Sequence, residues 1–355
     1  MTFLLEIETL KYISGNNTMN KRLDYFDAMK GFGILSVIYA HLFTMGMRDS
    51  DYISSVTSFI QLYFMPLFFF VSGYFSVKIG NIQKPAELKP IILKKTRNLL
   101  VPTAVMFTLC VLYFRMNYVD CIIDSFKVGY WFTYVLFCIS ILYAVLTIVL
   151  KPFSKSGGVL HLLIVLCLHY LSRHINVFDP IIKATSFDFI AAYYFYFYMG
   201  VLLKKYEGNI GRYLNNKYVL TVSLILGVLP VLYDTPWYVK NVCRLILVYD
   251  ILVVFRYYSS YFESQNVFAK GLRLIGRNTL EIYFLHYFFL FRIYDVDGLL
   301  TTLSNDYCFR GHSCSSLVEL AIICPIAIGI AYVCIFVKKI IQPYPFAKQL
   351  CFGNN

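Results

Sequence analysis

Asp27-Ala-Met-Lys-Gly-Phe-Gly-Ile-Leu-Ser-Val-Ile-Tyr-Ala-His41 decides how the rest of the chain is read. It opens the first long apolar segment. Lys30 and His41 lie eleven residues apart. At about 100° per residue, that separation is roughly three whole turns, so a helix carries both side chains on one stripe. At about 1.5 Å of rise per residue, His41 lies roughly 16 Å beyond Lys30, towards the middle of a bilayer if the helix spans one. A titratable side chain in hydrocarbon is costly, and the reading that accounts for it is a functional site facing a cavity.

The composition supports a bilayer. Of 355 residues, 59% are hydrophobic and 15% charged, and the mean hydropathy is +0.63. Apolar stretches long enough to span, about 20 residues each, recur at 27–47, 57–77, 98–115, 130–150, 158–173, 187–203, 217–233, 237–257, 274–292 and 316–337. The expected fold is therefore all-α, a polytopic transmembrane helix bundle of about ten spans. With the N-terminus inside, the inner side holds 23 Lys and Arg and the outer side 9. That bias places both termini in the cytoplasm. Residues 1–20 are read as an N-terminal tail or a mis-assigned start, 21–345 as a single transmembrane domain, and 346–355 as a short cytoplasmic tail. The net charge of +12 follows from basic inner loops and is no sign of nucleic-acid binding.

The ten Cys show no CxxC pair and no zinc spacing, so no metal is expected. Most lie in apolar segments as small hydrophobes. Cys308 and Cys314 share one polar loop and can pair if it faces an oxidising space.

Four groups of residues can carry chemistry. Lys30 and His41 form a polar track; His41 can act as a general base on a hydroxyl or as a nucleophile carrying an acyl group. Taken singly, Lys30 also fits an interfacial anchor and His41 an interhelical hydrogen bond. In Phe64-Met-Pro-Leu-Phe-Phe-Phe-Val-Ser-Gly-Tyr74, Pro66 kinks the helix, and Ser72 and Gly73 permit close approach of a neighbour. The loop Lys89 to Pro102 sets Lys94, Lys95 and Arg97 close to a helix start, where they can grip phosphates or simply follow the positive-inside rule. In Gly276-Arg-Asn-Thr-Leu-Glu-Ile-Tyr-Phe-Leu-His286, Asn278 and Glu281 share a face, while His286 lies about 140° off it. That group suits a structural hydrogen-bond network as well as a site.

In order, these motifs resemble the bacterial integral-membrane acyltransferase-three family, O-acyltransferases of cell-surface glycans. Arg22-Leu-Asp followed by Asp27, Lys30, Gly31 and His41 is similar to that family's first-helix signature. Met65 to Tyr74 resembles its second-helix motif, and Lys94 to Pro102 its basic motif. Trp131-Phe132 resembles the aromatic pair opening its fourth helix, Tyr194 to Gly200 its aromatic run, and Thr279 to His286 its late His motif. Lys30 stands where many members have Arg, and Asn98 where a second Arg is often seen. The resemblance implies a multi-pass protein of the bacterial inner membrane. Its donor would be cytoplasmic acetyl-CoA or another acyl-CoA, and its acceptor a glycan or lipid-linked sugar. His41 would be base or transient acyl carrier, with Asp27 or Glu281 orienting a His or balancing Lys30. Lys30, Lys94, Lys95 and Arg97 would hold the donor, and Ser72, Trp131, Asn278 and His286 would shape the substrate site. A transporter or flippase for an anionic or lipid-linked sugar would also use intramembrane charge and a cationic inner face. Against it, the chain has no repeated halves.

Overall fold

The computed structural model describes residues 23–46, 55–82, 84–153, 157–214, 217–295 and 315–353. The expected 1–20 tail and the Cys308–Cys314 pair lie outside them. The described residues are helical, with no strand among them. The helices are α1 (Asp24–Gly46), α2 (Ser55–Phe75), α3 (Leu88–Lys95), α4 (Val101–Tyr113), α5 (Tyr118–Ile123), α6 (Trp131–Leu150), α7 (Gly157–Leu171), α8 (Pro180–Thr185), α9 (Phe187–Leu214), α10 (Lys217–Leu232), α11 (Trp237–Tyr257), α12 (Ser259–Glu263), α13 (Val267–Arg277), α14 (Thr279–Asp295), α15 (Ser315–Ile341) and α16 (Pro345–Phe352).

A helix stands on each of the ten apolar stretches. Four helical segments among the described residues are long and apolar enough to cross a membrane: Ser55–Asn81, Pro85–Tyr113, Trp131–Leu150 and Glu319–Ile341. Helix α1 is not among the four; Asp24 and Asp27 fill its first turn, where carboxylates suit the helix dipole.

Two expected boundaries move, each for a local reason. The stretch 274–292 is not one helix: it breaks at Asn278, between α13 and α14. The Asn278 side chain donates to the Leu274 carbonyl at 2.6 Å and so competes with the backbone ladder. The third stretch begins earlier than 98. A π-helical turn, Thr96–Leu100, joins α3 to α4. Pro102 comes two residues after it; it has no N–H for the carbonyl four residues back and its ring crowds that carbonyl, so the turn widens. Residues 346–352, expected as a tail, form most of α16. Its Phe352 is buried, and Gly353, at φ +75°, lies against Arg97 and Asn98 so closely that a Cβ would clash.

Helix α1 is the hub, touching α2, α11, α13, α14 and α15. Two crossings let backbones nearly meet. A Cβ on Gly31 would collide with the Leu272 carbonyl, and one on Gly276 with the Asp27 carbonyl. That crossing brings α13 onto the start of α1. Gly73 and Gly200 do the same for α2 and α9, each facing the other helix's carbonyl oxygen. Hydrophobic driving force between helices is weak in lipid, so small residues that allow close packing carry the association.

Candidate functional site

The faces of α1, α2, α6, α9, α13, α14 and α15, with the segment 126–129, line a cavity of about 1020 Å³. Lys30 and His41 both line it, as one stripe of α1 must if the helix is straight. His41 stands five residues before Gly46, the last residue of α1, so it lies nearer that end of the helix than its middle.

At the Lys30 end, charges pair in a chain. Lys30 Nζ is 2.8 Å from Asp27 Oδ1. Arg277 Nε is 3.2 Å from Asp27 Oδ2, and its Nη2 2.9 Å from Asp24 Oδ1. Lys338 Nζ, from α15, is 2.5 Å from Glu281 Oε1 and donates to Asn278 Oδ1 at 2.7 Å. Lys30, Arg277, Glu281 and Lys338 all line the cavity. Asp27 is buried behind them as counter-ion to Lys30 and Arg277. Asn278 is likewise buried and holds Lys338.

At the other end, the Tyr287 hydroxyl lies 2.9 Å from His41 Nε2. The rings of His286 and His41 stack with centroids 5.5 Å apart, and His286 lies 4.2 Å from the Tyr287 ring. His286 Nδ1 donates to the Tyr283 carbonyl at 2.8 Å and approaches that of Ile282 at 3.1 Å. That fixes the proton on Nδ1 and leaves Nε2 as a lone pair. His286 Nε2 is buried without a hydrogen-bond partner. This ring is packing behind the cavity wall, while His41 and Tyr287 form the wall itself. Neither Asp27 nor Glu281 hydrogen-bonds to His41; each carboxylate serves a cation.

Aromatic rings close the remaining side. Trp131 lies 4.4 Å from Phe189 and 5.3 Å from Tyr193 by centroids, and Ser72 is on the α2 wall. Lys94, Lys95 and Arg97 do not line the cavity. Lys94 and Arg97 are exposed and Lys95 half-buried, on α3 and the π-turn after it.

Sequence reasoning missed Arg277, Lys338 and Tyr287. Arg277 and Tyr287 adjoin residues it singled out, Asn278 and His286; a cation beside an Asn and a hydroxyl beside a His were available signals. Lys338 carried none, since a Lys at the end of an apolar helix is an ordinary interfacial anchor. His161 and His169 bond to the Tyr194 hydroxyl at 2.6 Å and the Ala192 carbonyl at 2.9 Å.

Among the described residues, no group of three or more His, Cys, Asp and Glu could hold a metal ion. The cavity offers an imidazole paired with a phenol at one end, cations at the other, and an apolar, aromatic passage between. That suits transfer of a group from an anionic donor to a hydroxyl. No curated protein and no solved structure matches the chain. The model of the acyltransferase-3 family, described as an acyltransferase domain, matches residues 23–336, nearly all of the helical bundle, and the chain belongs to that family.

Proposed function

We propose that this membrane acyltransferase moves an acetyl group from cytoplasmic acetyl-CoA to a hydroxyl of a cell-surface glycan or lipid-linked sugar. The observation that supports this most is the single cavity joining Lys30, Arg277 and Lys338 to His41. The phosphates of the donor rest at the cationic end. Lys94, Lys95 and Arg97, off the cavity wall, add positive charge that would draw the anionic donor to the cytoplasmic face. The thin pantetheine arm runs along the passage and delivers the thioester to His41.

There the imidazole takes the proton of the acceptor hydroxyl as the oxygen attacks the thioester carbonyl. The C–S bond then breaks, and the proton held by His41 leaves with the thiol. Tyr287 accepts from Nε2–H in this scheme, so Nδ1 is the basic nitrogen. In a variant of the scheme, Nδ1 of His41 itself attacks the thioester carbonyl and the C–S bond breaks to release the thiolate; the acceptor hydroxyl then takes the acetyl group from the ring, and its proton passes to the thiolate. The protein spans the bacterial inner membrane about ten times with both termini in the cytoplasm; a reporter fused after Lys205 then reads as cytoplasmic.

The test is acetyl transfer from labelled acetyl-CoA in membranes, with binding of acetyl-CoA to purified protein as its companion. His41→Ala is expected to lose about 10²-fold or more of the transfer rate while still binding the donor. Undiminished transfer by folded His41→Ala refutes the assignment.

A further inference from the structure

The cavity wall at the His41 end contains a run of chain in conformations that L-residues avoid. Lys127, Val128 and Gly129 have φ of 46°, 53° and 92°. A left-handed β-branched residue such as Val128 is a clear outlier, and such strain persists only where the surroundings hold it. Here they do. Lys127 is buried, and its Nζ donates to the carbonyls of Ala184 at 2.9 Å, Ile122 at 3.0 Å and Asp124 at 3.4 Å. A second left-handed corner answers from the α8–α9 link. Ser186, at φ 50°, donates its hydroxyl to the Ser125 carbonyl at 3.0 Å. Two irregular connections, far apart in sequence, are thus pinned to each other.

The pinned run bears on His41 through one intermediary. The Tyr283 hydroxyl donates to the Gly129 carbonyl at 2.8 Å. The Tyr287 ring occupies the space that a Cβ on Gly129 would take. Tyr287 in turn bonds to His41 Nε2. The Lys127 ammonium is turned to three carbonyls, so it has structural work and no part in a reaction.

We propose that the strained run Lys127–Gly129, pinned through Lys127 to Ala184, is a positioning device that sets the His41 imidazole by seating Tyr287 against Gly129. It rests on the reading of His41 as the reacting group. Lys127 and Gly129 are positioning residues in this account. An L-residue with φ < 0 at 129 would retract the seat, and a Cβ there would push the ring.

The experiment reads His41 directly as well as through activity. The full-length protein in detergent is treated with diethyl pyrocarbonate, and labelling of each His is timed by peptide mass spectrometry. The exposed His174 serves as the internal reference. In Gly129→Ala and Lys127→Met, His41 is expected to label several-fold faster than in wild type, with His174 unchanged. In the same variants the transfer kcat should fall by up to about 10²-fold, with the KM for acetyl-CoA unchanged. Tyr283→Phe keeps the ring and removes the bond to the Gly129 carbonyl; it gives the same result in smaller measure and decides the matter if the other two do not fold. Wild-type labelling of His41 in folded variants overturns the inference, even if His41→Ala has abolished transfer. Faster labelling, in a protein whose wild type transfers no acetyl group, upholds the device and refutes the acyl-transfer reading instead.

Discussion

The Tyr287 hydroxyl meets His41 Nε2 at 2.9 Å across 246 residues of sequence. The bond fixes the ring's rotation and leaves the other nitrogen for a substrate. Replacing Tyr287 by Phe keeps the ring that packs on His286 and Gly129 and deletes only the hydroxyl. The expected result is a fall in transfer kcat of up to about 10²-fold, because a small misplacement of a reacting group is enough to cause it. The KM for acetyl-CoA should hold. Steady-state acetyl transfer at varied donor concentration checks both; an unchanged kcat removes Tyr287 from the mechanism.

The Lys338–Glu281 pair predicts an asymmetry in stability. Glu281 is buried and its partner half-buried. Lys338→Met leaves a carboxylate without its counter-ion, at a cost of about 3–5 kcal/mol. Adding Glu281→Gln removes the stranded charge and should recover most of the loss. Thermal unfolding in detergent of the two single variants and the double variant reads this; a double variant no better than Lys338→Met contradicts it.

Gly276 links packing to the charged end of the cavity. An added Cβ would strike the Asp27 carbonyl, so Gly276→Ala must force α13 away from α1. The overpacking alone should cost about 1–3 kcal/mol. It should also loosen Arg277 from Asp27 and raise the KM for acetyl-CoA more than it lowers kcat. A variant with a wild-type unfolding midpoint would show that the crossing yields without strain.

Glu207, in the last third of α9, sets a pH dependence. Burial by itself would raise its pKa. Hydrogen bonds from Lys204 at 2.9 Å and Tyr74 at 2.9 Å, with Arg256 at 2.6 Å, outweigh that and hold the carboxyl below its ordinary value. A lowered carboxyl pKa gives stability that is complete above the unfolded-state pKa. It is lost as pH falls through the folded-state value. Glu207→Gln should therefore lower the unfolding midpoint at neutral pH and reduce its decline on acidification. Parallel declines in the two proteins would contradict the assignment.

Much of this molecule can be read from residue order alone. Apolar stretches of spanning length call for helices wherever they occur, since in lipid each backbone polar group must be satisfied within its own segment. A separation of eleven positions puts Lys30 and His41 on one stripe because the helical repeat is a local property. The break at Asn278 and the π-turn before Pro102 also have local causes, though an apolar run masks them.

The partners of those residues were decided only by the folded chain. Asp27 and Glu281 are placed by their own helices, but what each one neutralises depends on α13 and α15 arriving beside them. Arg277 reaches Asp27 because two glycines let backbones touch, and Lys338 reaches Glu281 from a helix beginning 34 residues later in the chain. Lys94, Lys95 and Arg97 form the densest cationic run in sequence, yet they lie off the cavity wall. Charge density along a chain says nothing about which way the surface carrying it will face. The seat at Gly129 could not be anticipated at all: its left-handed run is held by carbonyls from separate segments, and that agreement exists only after the helices have packed.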